Sequence, residues 1–183
     1  MNQLLDKKNI KGVLNIVKFP KTSCQEYKLN EEIQWVKDIL LELNENAESK
    51  LPEEYLEDSH LNVNLKIEKK FKPSYGEYLI LSGNLDTIYH TQCVRTLQEM
   101  KEAFEIEFKA CFIDNSHEEN DELTDQVDIF IDGDVHELYF YENRMANIKL
   151  LIHEQVFLNM NQYPVSDYDA ELSWAKETTR TKQ

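Results

Sequence analysis

The strongest constraint on the fold is a two-residue alternation of apolar and polar side chains. From 61 to 68 every odd position is Leu, Val or Ile, and every even position is Asn, Lys or Glu. From 104 to 112 Phe, Ile and Ala alternate with Glu, Lys and Cys. Successive side chains of a strand point to opposite faces of its sheet, so both segments are predicted to be half-buried β-strands.

Turn residues separate these two strands from weaker candidates. Asp132-Gly133 between apolar runs is a strong hairpin signal. Gly83, inside another strand-like region, indicates a bulge or bend. The further predicted strands are 12–19, 77–81, 85–91, 127–131 and 135–141.

Apolar residues at helical spacing predict two helices. The first runs from Asn30, as N-cap, to about residue 47. The second, 144–159, is apolar around most of its circumference and is therefore expected to be buried. Residues 20–28 are predicted to be a loop, and 52–56 a single helical turn that begins with proline.

This order of elements predicts an α+β fold in one domain, residues 1–166. Short connections favour an antiparallel sheet of five to seven strands, either open or curled toward a barrel, with an N-terminal and a C-terminal helix packed against it. The acidic segment 114–126 is predicted to be a mobile loop, and 167–183 a polar, flexible tail.

Composition limits the function. The net charge of −15 over 183 residues repels phosphate, which argues against unselective nucleic-acid binding and favours basic protein partners. The three cysteines are odd in number, and no secretory signal or apolar run of membrane length is visible. We expect a cytoplasmic protein that has no membrane association.

No arrangement of residues predicts catalysis or a cofactor. His90, Cys93 and Cys111 lack a fourth zinc ligand in the sequence. The acidic segment 128–137 does not have the order of a calcium loop, and nothing brings Cys93 and His153 together as a nucleophile and base. We therefore expect a protein that is not an enzyme and holds no metal.

Lysines form two clusters. Lys7, Lys8 and Lys11 lie near the N-terminus, and Lys66, Lys69, Lys70 and Lys72 lie at the end of a predicted strand. With Tyr75 and Tyr78, the second cluster has the composition of a small RNA-contacting patch. Protection of a sheet edge by charged side chains is the favoured alternative.

Two segments of the sequence bear on the function. The first runs from Leu81-Ser82-Gly83 to Cys93-Val94-Arg95-Thr96-Leu97, and the second from Asn147-Ile148 through His153-Glu154 to Pro164-Val165. They resemble the YceD family of large-ribosomal-RNA accumulation proteins, which has a Cys-x-Arg-Cys-Leu signature and a C-terminal helix with a proline-rich exit. The resemblance covers about residues 61–166. Thr96 and Ser166 stand where the family has further cysteines.

The resemblance implies candidate binding residues at Cys93, Arg95 and Glu154, with packing roles for Leu97 and Pro164. It also implies a non-enzymatic accessory factor that supports synthesis, processing or stability of large-subunit ribosomal RNA. The expected partner is a ribosomal protein or a pre-ribosomal particle, with limited direct RNA contact. The alternatives are a generic acidic protein-interaction domain unrelated to ribosomes and, third, an enzyme.

Overall fold

The structure is a computed structural model that describes residues 11–21, 24–117 and 126–166. Most of the predicted mobile loop 114–126 and the whole predicted tail 167–183 lie outside these residues. Within them, the strands and helices follow one another in the chain as β1 (Val13–Asn15), β2 (Gln25–Leu29), α1 (Gln34–Asn44), β3 (His60–Lys72), β4 (Gly76–Gln92), β5 (Glu99–Asp114), β6 (Asp128–Ile131), β7 (Asp134–Tyr141), β8 (Met145–Asn147) and α2 (Ile148–Asn159). Short 3-10 turns occupy Ile16–Lys18, Pro52–Tyr55 and Asn115–His117.

The α+β class is confirmed, but the sheet is mixed. Six strands lie in the order β2-β3-β4-β5-β7-β6, and β1 pairs with β8 in a separate two-stranded sheet. Every neighbouring pair in the larger sheet is antiparallel except β5 and β7, which run parallel with Ala110 opposite Glu137. The expectation of a wholly antiparallel sheet is therefore wrong. The described sheet is also open, with β2 and β6 at its edges, and so does not form a closed barrel.

Both helices contribute to the main core on one face of the sheet. Leu40 of α1 and Ile152 of α2 are fully buried with Val63 of β3 and Leu85 of β4 in this cluster. A smaller cluster that includes Tyr78, Cys111 and Ile131 lies on the opposite face, since Tyr78 and Cys111 alternate with main-core residues along β4 and β5. Neither helix of the described chain is long and apolar enough to cross a membrane.

Several boundaries differ from the predictions. The predicted loop 20–28 contains β2, which is polar in sequence and is held by pairing with β3. Asn30 is not the N-cap of α1, because the helix begins at Gln34 with Ile33 at the cap. The predicted second helix starts later, at Ile148, because the residues just before it form β8.

Gly83 lies in a continuous strand rather than at a bulge. The pairing of β4 with β3 and β5 runs unbroken through this position, with Gly83 opposite Leu65 on one side and Phe108 on the other. A Cβ atom added here would lie 2.7 Å from Cζ of Phe108 and 2.9 Å from the carbonyl oxygen of Asn64. The glycine is therefore required by the close approach of its neighbours.

Candidate functional site

The turn between β4 and β5 contains the last part of the first resembling segment, Cys93 to Leu97. The backbone N–H of Cys93 donates to the Gln98 carbonyl oxygen at 2.9 Å, and the N–H of Leu97 donates to the Cys93 carbonyl oxygen at 2.8 Å. Leu97 has a φ of 58°. This left-handed conformation costs an ordinary residue about 1–2 kcal/mol, and only glycine adopts it freely.

The chain that leaves α2 packs against this turn. The backbone N–H of Val94 donates to the carbonyl oxygen of Pro164 at 2.9 Å. Closer to the end of α2, Asn161 also holds the exit segment in place. Its backbone N–H donates to the Tyr89 hydroxyl and its side chain donates to Glu102, both at 3.3 Å. The structure thus brings together the two sequence segments that carry the family resemblance.

Cys93 lies beneath this contact and is fully buried. A hydrogen bond with the Thr96 side chain, followed by one with the Ser166 backbone, lowers the pKa of the Cys93 thiol to about 7. Thr96 and Ser166 are the two positions at which the resemblance expects further cysteines. The three positions therefore converge on one point, where this chain has a single hydrogen-bonded thiol in place of several cysteines.

In the parts of the chain that the structure describes, no group of three or more His, Cys, Asp or Glu side chains is arranged to hold a metal ion. Nε2 of His153 lies 3.0 Å from a carboxylate oxygen of Glu42 in α1. Asp132 and Gly133 form the expected β6–β7 turn, with φ values of 55° and 87°.

A cleft of about 250 Å³ opens between the turn and the exit segment. We call it the motif cleft. Leu97, expected to pack, is instead 70% exposed, and Val94 is 50% exposed. Pro164 is buried, in agreement with its expected packing role. The cleft is lined by the apolar residues Val94, Leu97, Met160 and Pro164, together with the polar residues Asn46, Thr91, Gln92, Asn161 and Gln162 and the buried Cys93.

The other two candidate residues lie on different elements. Arg95 is exposed in the β4–β5 turn, beside Cys93. Glu154 lies half-buried in α2 and contacts Tyr139 of β7. Burial, together with the hydrogen bond to Glu154, raises the pKa of Tyr139 well above its usual value. Arg95 therefore lies in the turn that borders the motif cleft, whereas Glu154 connects α2 to the sheet.

A buried polar cluster just before the turn was missed in the sequence. The Asn44 side-chain oxygen accepts from the His90 backbone N–H at 2.8 Å and from the Ser59 hydroxyl at 3.3 Å. The His90 ring stacks on Tyr55, with 4.4 Å between ring centroids, and its Nδ1 lies 3.2 Å from Glu99. These contacts fix the last residues of β4 and so determine where Cys93 lies.

Glu99 completes this cluster at the start of β5. The Tyr55 hydroxyl donates to Glu99 at 2.9 Å and, together with His90, holds the pKa of the Glu99 carboxyl below its usual value. His90 Nε2 is buried without a hydrogen-bond partner among the described residues. The only sequence signal for this cluster was the polarity of Asn44 and His90 at positions that are otherwise apolar.

Two of the four lysines of the β3 cluster are paired with carboxylates. Lys69 is buried on the opposite face from its neighbours, where it donates to the Ile16 carbonyl oxygen at 2.8 Å and pairs with Glu77 at 2.9 Å. Lys70 pairs with Asp132 at 2.8 Å. β2 pairs with β3 only as far as Ile67, so the part of β3 that follows Ile67 is locally an edge of the sheet. This supports the alternative in which charged lysine side chains protect a sheet edge.

Two further cavities lie along the sheet. One of about 250 Å³ lies between β3 and the β6–β7 hairpin and includes Lys66, for which no ion pair is present in the described chain, and Lys109, which pairs with Asp134. His136 also lines it, and its buried Nδ1 has no hydrogen-bond partner among the described residues. The other, of about 720 Å³, extends from β2 across the sheet to β7 and β6 and shares Lys66. Their linings mix lysines with carboxylates.

Together these features define a small α+β protein in which a Cys-x-Arg turn is fastened to the exit of a C-terminal helix. Residues 81–182 match the family model described as large ribosomal RNA subunit accumulation protein YceD, and the chain belongs to this family. The match starts later and ends later than the region of resemblance at 61–166. Neither the curated proteins nor the solved structures contain a match to the chain. The family's description supports a ribosome-related role.

Proposed function

We propose that this protein is a non-enzymatic accessory factor that supports the synthesis, processing or stability of large-subunit ribosomal RNA. The observation that carries the proposal is the family match over residues 81–182, which includes both segments that meet at the motif cleft. The proposal places the protein in the cytoplasm, where it binds a ribosomal protein or a pre-ribosomal particle.

Electrostatics favours a protein partner over a broad RNA footprint. The net charge of −15 repels the phosphate backbone, and two β3 lysines are engaged by carboxylates of the same chain. Most ribosomal proteins are basic, so an acidic chain is attracted to them over a range set by ionic strength. Direct RNA contact, if made, is limited to small patches such as the one around Lys66.

A binding role also agrees with the chemistry of the turn. Cys93, a potential nucleophile, is fully buried and hydrogen-bonded, and the imidazole of His153 is engaged by Glu42. Leu97 and Val94, by contrast, are exposed in the cleft. An apolar, exposed surface at the family motif suits recognition better than bond-making.

Depletion of the protein tests this function. We expect loss of the protein to lower mature large-subunit RNA or to cause its precursors to accumulate, with recovery on re-expression of the intact chain. Small-subunit RNA in the same cells is the internal control. Normal large-subunit RNA in amount and processing would contradict the proposal and leave the generic acidic interaction domain as the better account.

A further inference from the structure

Leu97 has an unusual combination of backbone and side-chain features. Its φ of 58° is a conformation that disfavours residues with a Cβ, yet its side chain is 70% exposed. Neither the turn geometry nor core packing therefore accounts for leucine at this position. A strained backbone that presents an apolar side chain to solvent is a feature of binding sites.

The surroundings of Leu97 extend this apolar surface. Val94, half-exposed, and Met160 and Pro164 line the same cleft of about 250 Å³. Amide side chains, including Asn46 and Gln162, complete the lining. An apolar floor with a polar rim that can form hydrogen bonds is the usual composition of a protein-binding surface.

The charge around the motif cleft is mainly negative. Glu45 and Glu48, both exposed, flank Asn46 in the chain directly after the end of α1, where the helix dipole adds partial negative charge. Glu102 accepts a hydrogen bond from the lining residue Asn161. The bases in this region are Arg95 of the turn and the exposed Lys50, which lies two residues after Glu48 and over the Tyr55 ring. A partner of complementary charge is therefore cationic.

We propose that the motif cleft is the docking site for a lysine- or arginine-rich segment of a ribosomal protein, which inserts an aliphatic side chain beside Leu97 and Val94. This inference rests on the proposed function and specifies its partner chemistry. A second copy of this chain is a poor occupant, because two chains of charge −15 repel each other. RNA is disfavoured for the same reason.

The test measures binding of the labelled full chain to purified large-subunit ribosomal proteins, each titrated separately by fluorescence anisotropy. We expect at least one to bind, with an affinity that falls as salt is added. Leu97→Gly removes the side chain and relieves the backbone strain, so it should melt at or above the temperature of the unchanged protein and yet weaken binding about tenfold or more. Val94→Ser should weaken binding in the same direction.

The matched control is Phe71→Ala, which removes another 70% exposed side chain, located at the β3 end next to the β3–β4 turn, away from the β4–β5 turn. It should leave binding unchanged. Equal binding by Leu97→Gly and Phe71→Ala, binding by none of the purified proteins, or self-association through this surface in sedimentation would overturn the proposal. If depletion lowers large-subunit RNA and Leu97→Gly restores it fully, the function stands and the docking site fails.

Discussion

Val94 and Pro164 lie far apart in the chain but are joined by a backbone hydrogen bond of 2.9 Å. Val94 lies two residues beyond the end of β4, and Pro164 lies in the segment that follows α2. This bond, together with the Ser166 contact to Cys93, makes the conformation of the β4–β5 turn depend on the position of the C-terminal helix. A change in either segment should therefore be detected at the other.

The Cys93 thiol reports on this contact. Removal of the Thr96 hydroxyl by Thr96→Val should raise the pKa of Cys93 from about 7 toward its ordinary value of 9.0. The pKa of Cys93 is measured from thiolate absorbance as a function of pH, in a protein that also carries Cys24→Ser so that the exposed Cys24 thiol does not contribute. Burial raises the pKa of Cys111 to about 12, so that thiol does not interfere. An unchanged titration in Thr96→Val would contradict the assigned cause.

The same shift predicts a pH dependence of stability. Between about 7 and 9.0 the unfolded chain retains the Cys93 proton that the folded chain has lost, so the free energy of unfolding should rise with pH over this range. The contribution is lost as the pH falls through about 7. In Thr96→Val the free energy of unfolding should increase less with pH over this range. Denaturant unfolding at several pH values measures this dependence.

Gly83→Ala should destabilise the protein by about 1–3 kcal/mol, the usual cost of overpacking a filled site. The added methyl group meets the Phe108 ring and the backbone oxygen of Asn64, and the backbone cannot move aside without disturbing the β3–β4 pairing. Urea unfolding measures the change. Ser82→Ala, the adjacent position in β4, is the control and should have little effect. Unchanged stability in Gly83→Ala would show that the sheet adjusts at no cost.

Lys69→Met should lower the free energy of unfolding at pH 7 by about 1–3 kcal/mol, because the Ile16 carbonyl oxygen and Glu77 both lose their donor. The hydrogen bond from Lys69 is the main cause of the lowered pKa of Glu77. A carboxyl with a lowered pKa stabilises the fold above its ordinary pKa of 4.5, and this contribution disappears as the pH falls through its folded value.

The difference in the free energy of unfolding between Lys69→Met and the unchanged protein should therefore become smaller at acidic pH. Lys66→Met is the matched control, since Lys66 lies on the same strand, is exposed and is not in an ion pair within the described residues. A gap that is constant across pH would mean that the Ile16 contact, rather than the Glu77 pair, accounts for the loss.

Arg95→Ala and Glu154→Ala test the two polar residues singled out by the resemblance. Arg95 is exposed, so its variant should melt normally and reduce the rescue of large-subunit RNA in depleted cells. Glu154 contacts Tyr139, and its variant separates two roles. Normal melting with reduced rescue indicates function, whereas a lowered melting temperature indicates that the residue holds α2 on the sheet. Glu105→Ala, exposed on β5, is the control.

The strands with long alternation could be predicted because their side chains alone determine which face is buried. β3 and β5 were identified in this way, and the Asp132-Gly133 turn was identified by its composition. The short, polar β2 could not be, because its strand conformation depends on pairing with β3. The direction of β7 beside β5 also leaves no mark on alternation, since parallel and antiparallel strands have the same period.

The candidate site divides in the same way. Cys93 and Arg95 belong to a motif of consecutive residues, so the sequence alone is enough to detect them. The Asn44–His90 contact joins residues that are distant in the chain, and the exposure of Leu97 depends on what the exit segment leaves uncovered. Both are consequences of packing, and no local pattern in the sequence encodes them.

The pairing of β1 with β8 has a consequence for how the protein is made. Leu14 lies opposite Ala146, so the first strand of the described chain is paired with the last. The two strands are about 130 residues apart, and chains are synthesised at about 5–20 residues per second, so β1 is made roughly 7 to 26 seconds before its partner. During that interval β2, β3 and β4 can already pair with one another, whereas β1 has no β8 to pair with. The small sheet can therefore form only after β8 has been made, and a chain truncated before residue 145 would lack it.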